Sequence, residues 1–199
     1  WVGKFEISSG QIIKPNVTSL RSQTVNQLYT GIYNMRNSGN AFGFSTTDET
    51  HMMKNMEWGA VTYLSHSKYG INKEIAINSA NTYTTGCGPQ SEGSTSSGAT
   101  CNGYTTALGQ SASTTGNTSG VYDMSGGAYE YVMGNMVNSS GAFYSSNAGF
   151  SSTPNAKYYD KYSYDASSNT TYTRGKLGDA TKEMAPVSSS NTSWYSDYA

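Results

Sequence analysis

Gly120-Val-Tyr-Asp-Met-Ser-Gly-Gly-Ala-Tyr-Glu-Tyr131 is the stretch whose reading decides the fold of this chain. Gly120 and the pair Gly126-Gly127 open backbone angles that side-chained residues resist, which lets the chain enter and leave through sharp turns. Between those turns Val121 with Tyr122, and Tyr129 with Tyr131, supply apolar surface. Asp123 and Glu130 are carboxylates placed either to hold the backbone N–H groups of a loop or to contribute to a cation site. The structural turn is the simpler of the two, because Gly and Asp usually build turns.

Working outward, Trp1, Phe5 and Ile7 share one face of a period-two pattern with Lys4 and Glu6 on the other, so residues 1–8 read as a half-buried strand. Val25, Leu28, Ile32 and Met35 recur at helical spacing and predict an amphipathic helix from Thr24 to about Arg36, ended by Asn37-Ser-Gly39. Thr47-Asp48-Glu49 reads as the cap of a second helix running to about His66, with Met53, Met56, Ala60 and Leu64 as its apolar stripe. Lys73–Ile77 suggests a short strand. Residues 78–119 carry little hydrophobicity and read as a long loop insertion, a place where recognition tends to sit. Downstream of the opening stretch, Val132–Met136 leads into a loop to Pro154, the aromatic cluster Lys157–Tyr164, and a polar remainder with Trp194, Tyr195 and Tyr198.

A length of 199 residues accommodates one domain with a real core. Charged residues are 13% of the chain and the formal net charge is -1, with 12 basic residues scattered among 13 acidic ones, which excludes the basic stripe of a nucleic-acid binder. The 17 Tyr, set among Ser, Gly and Asn, resemble the makeup of surfaces that combine rigid aromatic contacts with adaptable hydrogen bonding. They serve equally well as fillers of strands and interlayer gaps. Cys87 and Cys101 bracket a Gly/Ser/Thr-rich segment and suggest a disulfide, worth about 3 kcal/mol in the chain-entropy description, and hence an oxidising compartment. His51 and His66 have no partner at ligand spacing, so neither receives a metal or catalytic role.

The opening stretch resembles the signature of the formylglycine-generating enzyme (sulfatase-modifying factor) superfamily, roughly Asn-x-x-Gly-Leu-x-Asp-Met-x-Gly-Asn-Val-Trp-Glu-Trp. Asn117, Gly120, Asp123, Met124, Gly126 and Glu130 match it, Trp1–Ser8 looks like the family's opening strand, and Glu57-Trp58 is similar to the Glu-Trp of its second helix. The resemblance implies an α+β, C-type-lectin-like single domain over residues 1–199, with two helices, short strands and long loops, incomplete at its C-terminus. It does not carry the family's chemistry. The chain has no cysteine after Cys101 and no Arg-Gly-Gly motif; Arg174-Gly175-Lys176 is followed by nothing that matches it. In calcium-binding members this segment helps to hold the ion, and Glu130 is the surviving candidate ligand; no cofactor is expected, and calcium stays open.

The resemblance is nearest to non-catalytic surface proteins and to the variable proteins of diversity-generating retroelements, some with a prepilin-like anchor. It implies an exported, extracellular recognition or adhesion protein on a bacterial or phage surface, taking a protein or glycan ligand and reaching a membrane only through an N-terminal anchor preceding Trp1. Trp194, Tyr195 and Tyr198 are the expected ligand contacts. The alternative is a structural subunit, a minor pilin or filament component, that self-assembles through the same domain.

Overall fold

The computed structural model describes residues 1–143 and 148–163, which form an α+β arrangement of short strands and helices. Trp1–Arg21 with Gly59–Glu130 make one compact unit; Ser22–Trp58 with the described residues from Tyr131 onward make the other. Among the described residues no helix is long and apolar enough to cross a membrane.

In the first unit, β1 (Ile7–Ser8) pairs antiparallel with β2 (Ile12–Ile13), so the strand expected over residues 1–8 shrinks to its last two. Trp1 is fully exposed, and Phe5 alone of its proposed face is buried. Phe5 instead stacks on Tyr122 at 5.2 Å and meets Tyr104 edge-on at 5.5 Å. The Tyr122 hydroxyl donates to the carbonyls of Asn117 and Tyr104, which is how a ring only 1% exposed keeps its polar end satisfied.

The stretch 78–119 is more than a loop. It carries the antiparallel pair β3 (Cys87–Gly88) and β4 (Asn102–Gly103), and the short helix α3 (Ala107–Ser111) capped by the Thr106 hydroxyl. Its buried positions are mostly small or polar: Ser79, Thr85, Ser113 and Thr114 satisfy themselves through hydrogen bonds, which a hydrophobicity count does not register. A Cβ on Gly109 would lie 2.0 Å from the Gly103 carbonyl oxygen, and one on Gly88 would lie 2.1 Å from that of Leu108. Bare backbone is therefore what lets α3 dock on the β3–β4 pair. Lys73–Ile77 forms no strand; the isolated bridges come just after it, from Asn78 to Gly126 and from Ala80 to Gly98.

In the second unit, α1 (Val25–Tyr33) begins in a reciprocal capping box, with the Gln27 N–H on the Thr24 hydroxyl and the Gln27 side chain on the Thr24 N–H. The predicted stripe performs as expected. Val25, Leu28 and Ile32 pack on a core of Met52, Met133, Val137 and Tyr159, and Met35 is buried in the 3₁₀ turn Asn34–Arg36 that continues the helix. Strands β5 (Gly134–Val137) and β6 (Asp160–Ser163) pair in parallel.

The second helix differs from expectation in start and in face. α2 spans Asn55–Ser65. Asp48 caps no helix, because its carboxylate closes a turn back onto Ser45. The N-terminus of α2 is held instead by Asp160, which accepts the Met56 N–H at 2.7 Å, and by Glu57, which accepts that of Lys54 at 2.9 Å. Met56 and Ala60 of the proposed stripe are exposed, whereas Asn55, Trp58, Gly59, Thr62 and Ser65 are buried. Thr62 and Ser65 can occupy a buried face because their hydroxyls donate to carbonyls three residues back.

Candidate functional site

Beyond Arg36 the chain enters a loop that is braced by its own side chains. Asn40 is the centre of the brace: its Nδ2 donates to the carbonyls of Asn37 and Phe44 at 2.8 and 2.6 Å, and its Oδ1 accepts the N–H groups of Phe42 and Phe44, both at 3.0 Å. That uses the full hydrogen-bonding capacity of one amide. Asp48 closes the far end by accepting the Ser45 N–H at 2.6 Å and the Ser45 hydroxyl at 3.0 Å, and these bonds hold its carboxyl below the ordinary range. Backbone groups that no helix or strand employs are thereby satisfied.

The brace presents two phenylalanines to solvent. Phe42 and Phe44 are 38% and 40% exposed, with rings stacked at 5.7 Å. Beside them, the Arg36 guanidinium lies 3.7 Å from the centre of the Tyr33 ring, and its Nη1 donates to the Asp48 carbonyl at 3.0 Å. Arg36, Ser38, Asn40, Phe44, Ser45 and Thr46 bound an open concavity of about 370 Å³, in which Arg36 is the single formal charge. No described carboxylate lies within ion-pair distance of that guanidinium. The concavity thus brings together an exposed aromatic pair, one cation held from two sides and hydroxyl-bearing residues.

The opening stretch builds something different, a buried polar hub in the first unit. Asp123 is 1% exposed with φ of 63°, a left-handed conformation that Asp and Asn tolerate. Its carboxylate accepts the Gly86 N–H at 2.9 and 3.0 Å, Asn78 Nδ2 at 2.8 Å and the Glu6 N–H at 3.3 Å. Burial pushes its pKa up to about 6 against the pull of those donors. Glu6, in hydrogen-bond contact with the Ser19 hydroxyl, is raised to about 9 by burial and by the charges of Glu130 and Asp123.

Other residues of the sequence reading fall around this hub. Gly126, at φ of 73°, lets the chain run against Asn78, where a Cβ would lie 2.3 Å from the Asn78 carbonyl oxygen. Met124 is buried, and Gly120 backs onto Ser113 and Thr115. Glu130 is exposed, and so are Tyr129 and Tyr131, at 82% and 56%. The expectation that these two tyrosines supply buried apolar surface is thus corrected: Tyr122 and Met124 do so. Glu57 and Trp58 lie in the first turn of α2, where Glu57 binds His51 as well as the Lys54 N–H, and Trp58 is buried. Cys87 and Cys101 form the disulfide, Cα atoms 5.1 Å apart. Trp194, Tyr195 and Tyr198 lie outside the described residues.

Among the described residues, no three His, Cys, Asp or Glu are arranged to hold a metal ion. Arg36, Asn40, Phe42 and Phe44 had a signal in the sequence that helix and strand patterns pass over. Two of the chain's five Phe stand within three residues of one another in a Gly/Asn/Ser loop, where no periodicity buries them. The chain matches no family model, no curated protein and no solved structure.

Proposed function

We propose that this chain is an exported, non-enzymatic recognition or adhesion protein with a C-type-lectin-like fold, related to sulfatase-modifying-factor-like proteins, and that the braced loop Asn37–Asp48 is its ligand-binding surface. The observation that carries the reading is the pair of solvent-facing phenylalanines, whose loop spends a complete amide and a carboxylate on keeping them in place. Rigid aromatics that are already ordered lose little entropy on binding, which is how a paratope-like surface gains affinity. The Cys87–Cys101 disulfide supports export. The test is binding of the full chain to immobilised glycans and cell-surface proteins, for wild type and the double variant Phe42→Ala/Phe44→Ala. The reading expects at least one ligand class to be retained by wild type and lost by the variant with its fold unchanged by circular dichroism. Equal retention by both proteins overturns the loop as the surface.

A further inference from the structure

The concavity beside Phe44 also says what kind of ligand fits it. Arg36 is fixed from two sides, by its stack on Tyr33 and by its bond to the Asp48 carbonyl, yet pairs with no described carboxylate. A guanidinium has five donors, and one is seen to bond to the Asp48 carbonyl; a guanidinium fork matches the geometry of a planar acid. Of the neighbouring acids, Asp48 bonds to Ser45 and Glu49 to Lys157, although the Arg36 charge also helps to hold the Glu49 carboxyl below its ordinary range. Ser38, Thr46 and Phe44 line the same concavity, so two hydroxyl-bearing residues and one aromatic residue border it beside Arg36.

Resting on the recognition reading above, we propose that this concavity binds an acidic saccharide, a pyranose bearing a carboxylate. Its carboxylate pairs with Arg36, its hydroxyls meet Ser38 and Thr46, and its C–H face lies on the electron-rich face of Phe44. A peptide acid would use Arg36 equally well, but a rim of hydroxyls around one flat ring suits a polyhydroxylated ring better than an aliphatic side chain. No acidic residue lines the concavity, so the sugar is held directly by the protein and not through a cation.

The test titrates the full chain with a uronic-acid-containing tetrasaccharide, its carboxyl-reduced counterpart, and a glutamate-rich peptide, each with and without EDTA, by calorimetry. The uronate form should bind roughly ten-fold tighter than the reduced form, as one charge-assisted pair provides. Arg36→Gln should abolish that preference, Arg36→Lys should restore part of it, Phe44→Ala should weaken both sugars, and EDTA should change nothing. Equal binding of the two sugars, still sensitive to Phe44→Ala, overturns the acidic class while leaving the loop as the recognition surface. Preference for the peptide, or loss of binding in EDTA, overturns the saccharide assignment. Absence of binding to all three probes overturns it as well, and the array experiment above then decides the recognition reading separately.

Discussion

A single carboxylate, Asp123, ties the N-terminal segment to residues 78–86, accepting the Glu6 and Gly86 backbone N–H groups and the Asn78 side-chain amide. Asp123→Ala leaves those donors buried and unsatisfied and should lower stability by about 3 kcal/mol in urea unfolding. A loss under about 1 kcal/mol would show that the hub rearranges around water. The same carboxylates set a pH dependence. Both Glu6 and Asp123 have folded pKa values raised above their ordinary ones, to about 9 and about 6, so the folded state holds protons that the unfolded chain releases. Their contribution to stability is full below the ordinary values of 4.5 and 3.8 and is lost as pH rises from there to about 6 for Asp123 and to about 9 for Glu6. Glu6→Gln should flatten most of that decline in thermal melts taken across the range, and a slope unchanged by the substitution would remove Glu6 as its source. The sequence showed Asp123 as a holder of N–H groups but not which ones, because its donors lie far from it along the chain and share no local pattern.

Elements were legible to the degree that they were apolar and periodic. α1 was readable from its stripe and from Thr24 and Gln27, which stand at capping-box spacing. α2 was misread twice for physical reasons: Asp48 serves a turn rather than a helix, and the buried face carries Thr62 and Ser65, whose hydroxyls are satisfied within the helix. Met56→Lys, on the face once assigned to the core, should change stability by no more than about 0.5 kcal/mol. Gly109→Ala should be severe, costing more than about 3 kcal/mol, because its Cβ would meet backbone that cannot turn aside. Comparable melting temperatures for the two variants would contradict this account of α2 and α3. Strand pairs such as β1–β2 and β3–β4, two residues to a strand, are too short to display a period at all.

Across the whole molecule, the described chain holds two units of different makeup, one organised by a buried carboxylate hub and a disulfide, the other by an apolar core under α1. Reduction of Cys87–Cys101 should cost about 3 kcal/mol, read as a lower urea midpoint, and an unchanged midpoint would mean that the loop is held by its hydrogen bonds alone. The proposed binding surface lies on a loop braced by Asn40, so Asn40→Ala should leave global stability within about 1 kcal/mol and speed amide exchange at Phe42 and Phe44. The most direct test is a map of amide chemical-shift changes in the 199-residue chain as the uronic-acid tetrasaccharide is added. The account predicts changes concentrated between Arg36 and Asp48 and absent from the Asp123 hub; changes centred on Trp194, Tyr195 and Tyr198 instead would contradict it and return the recognition surface to the late aromatics.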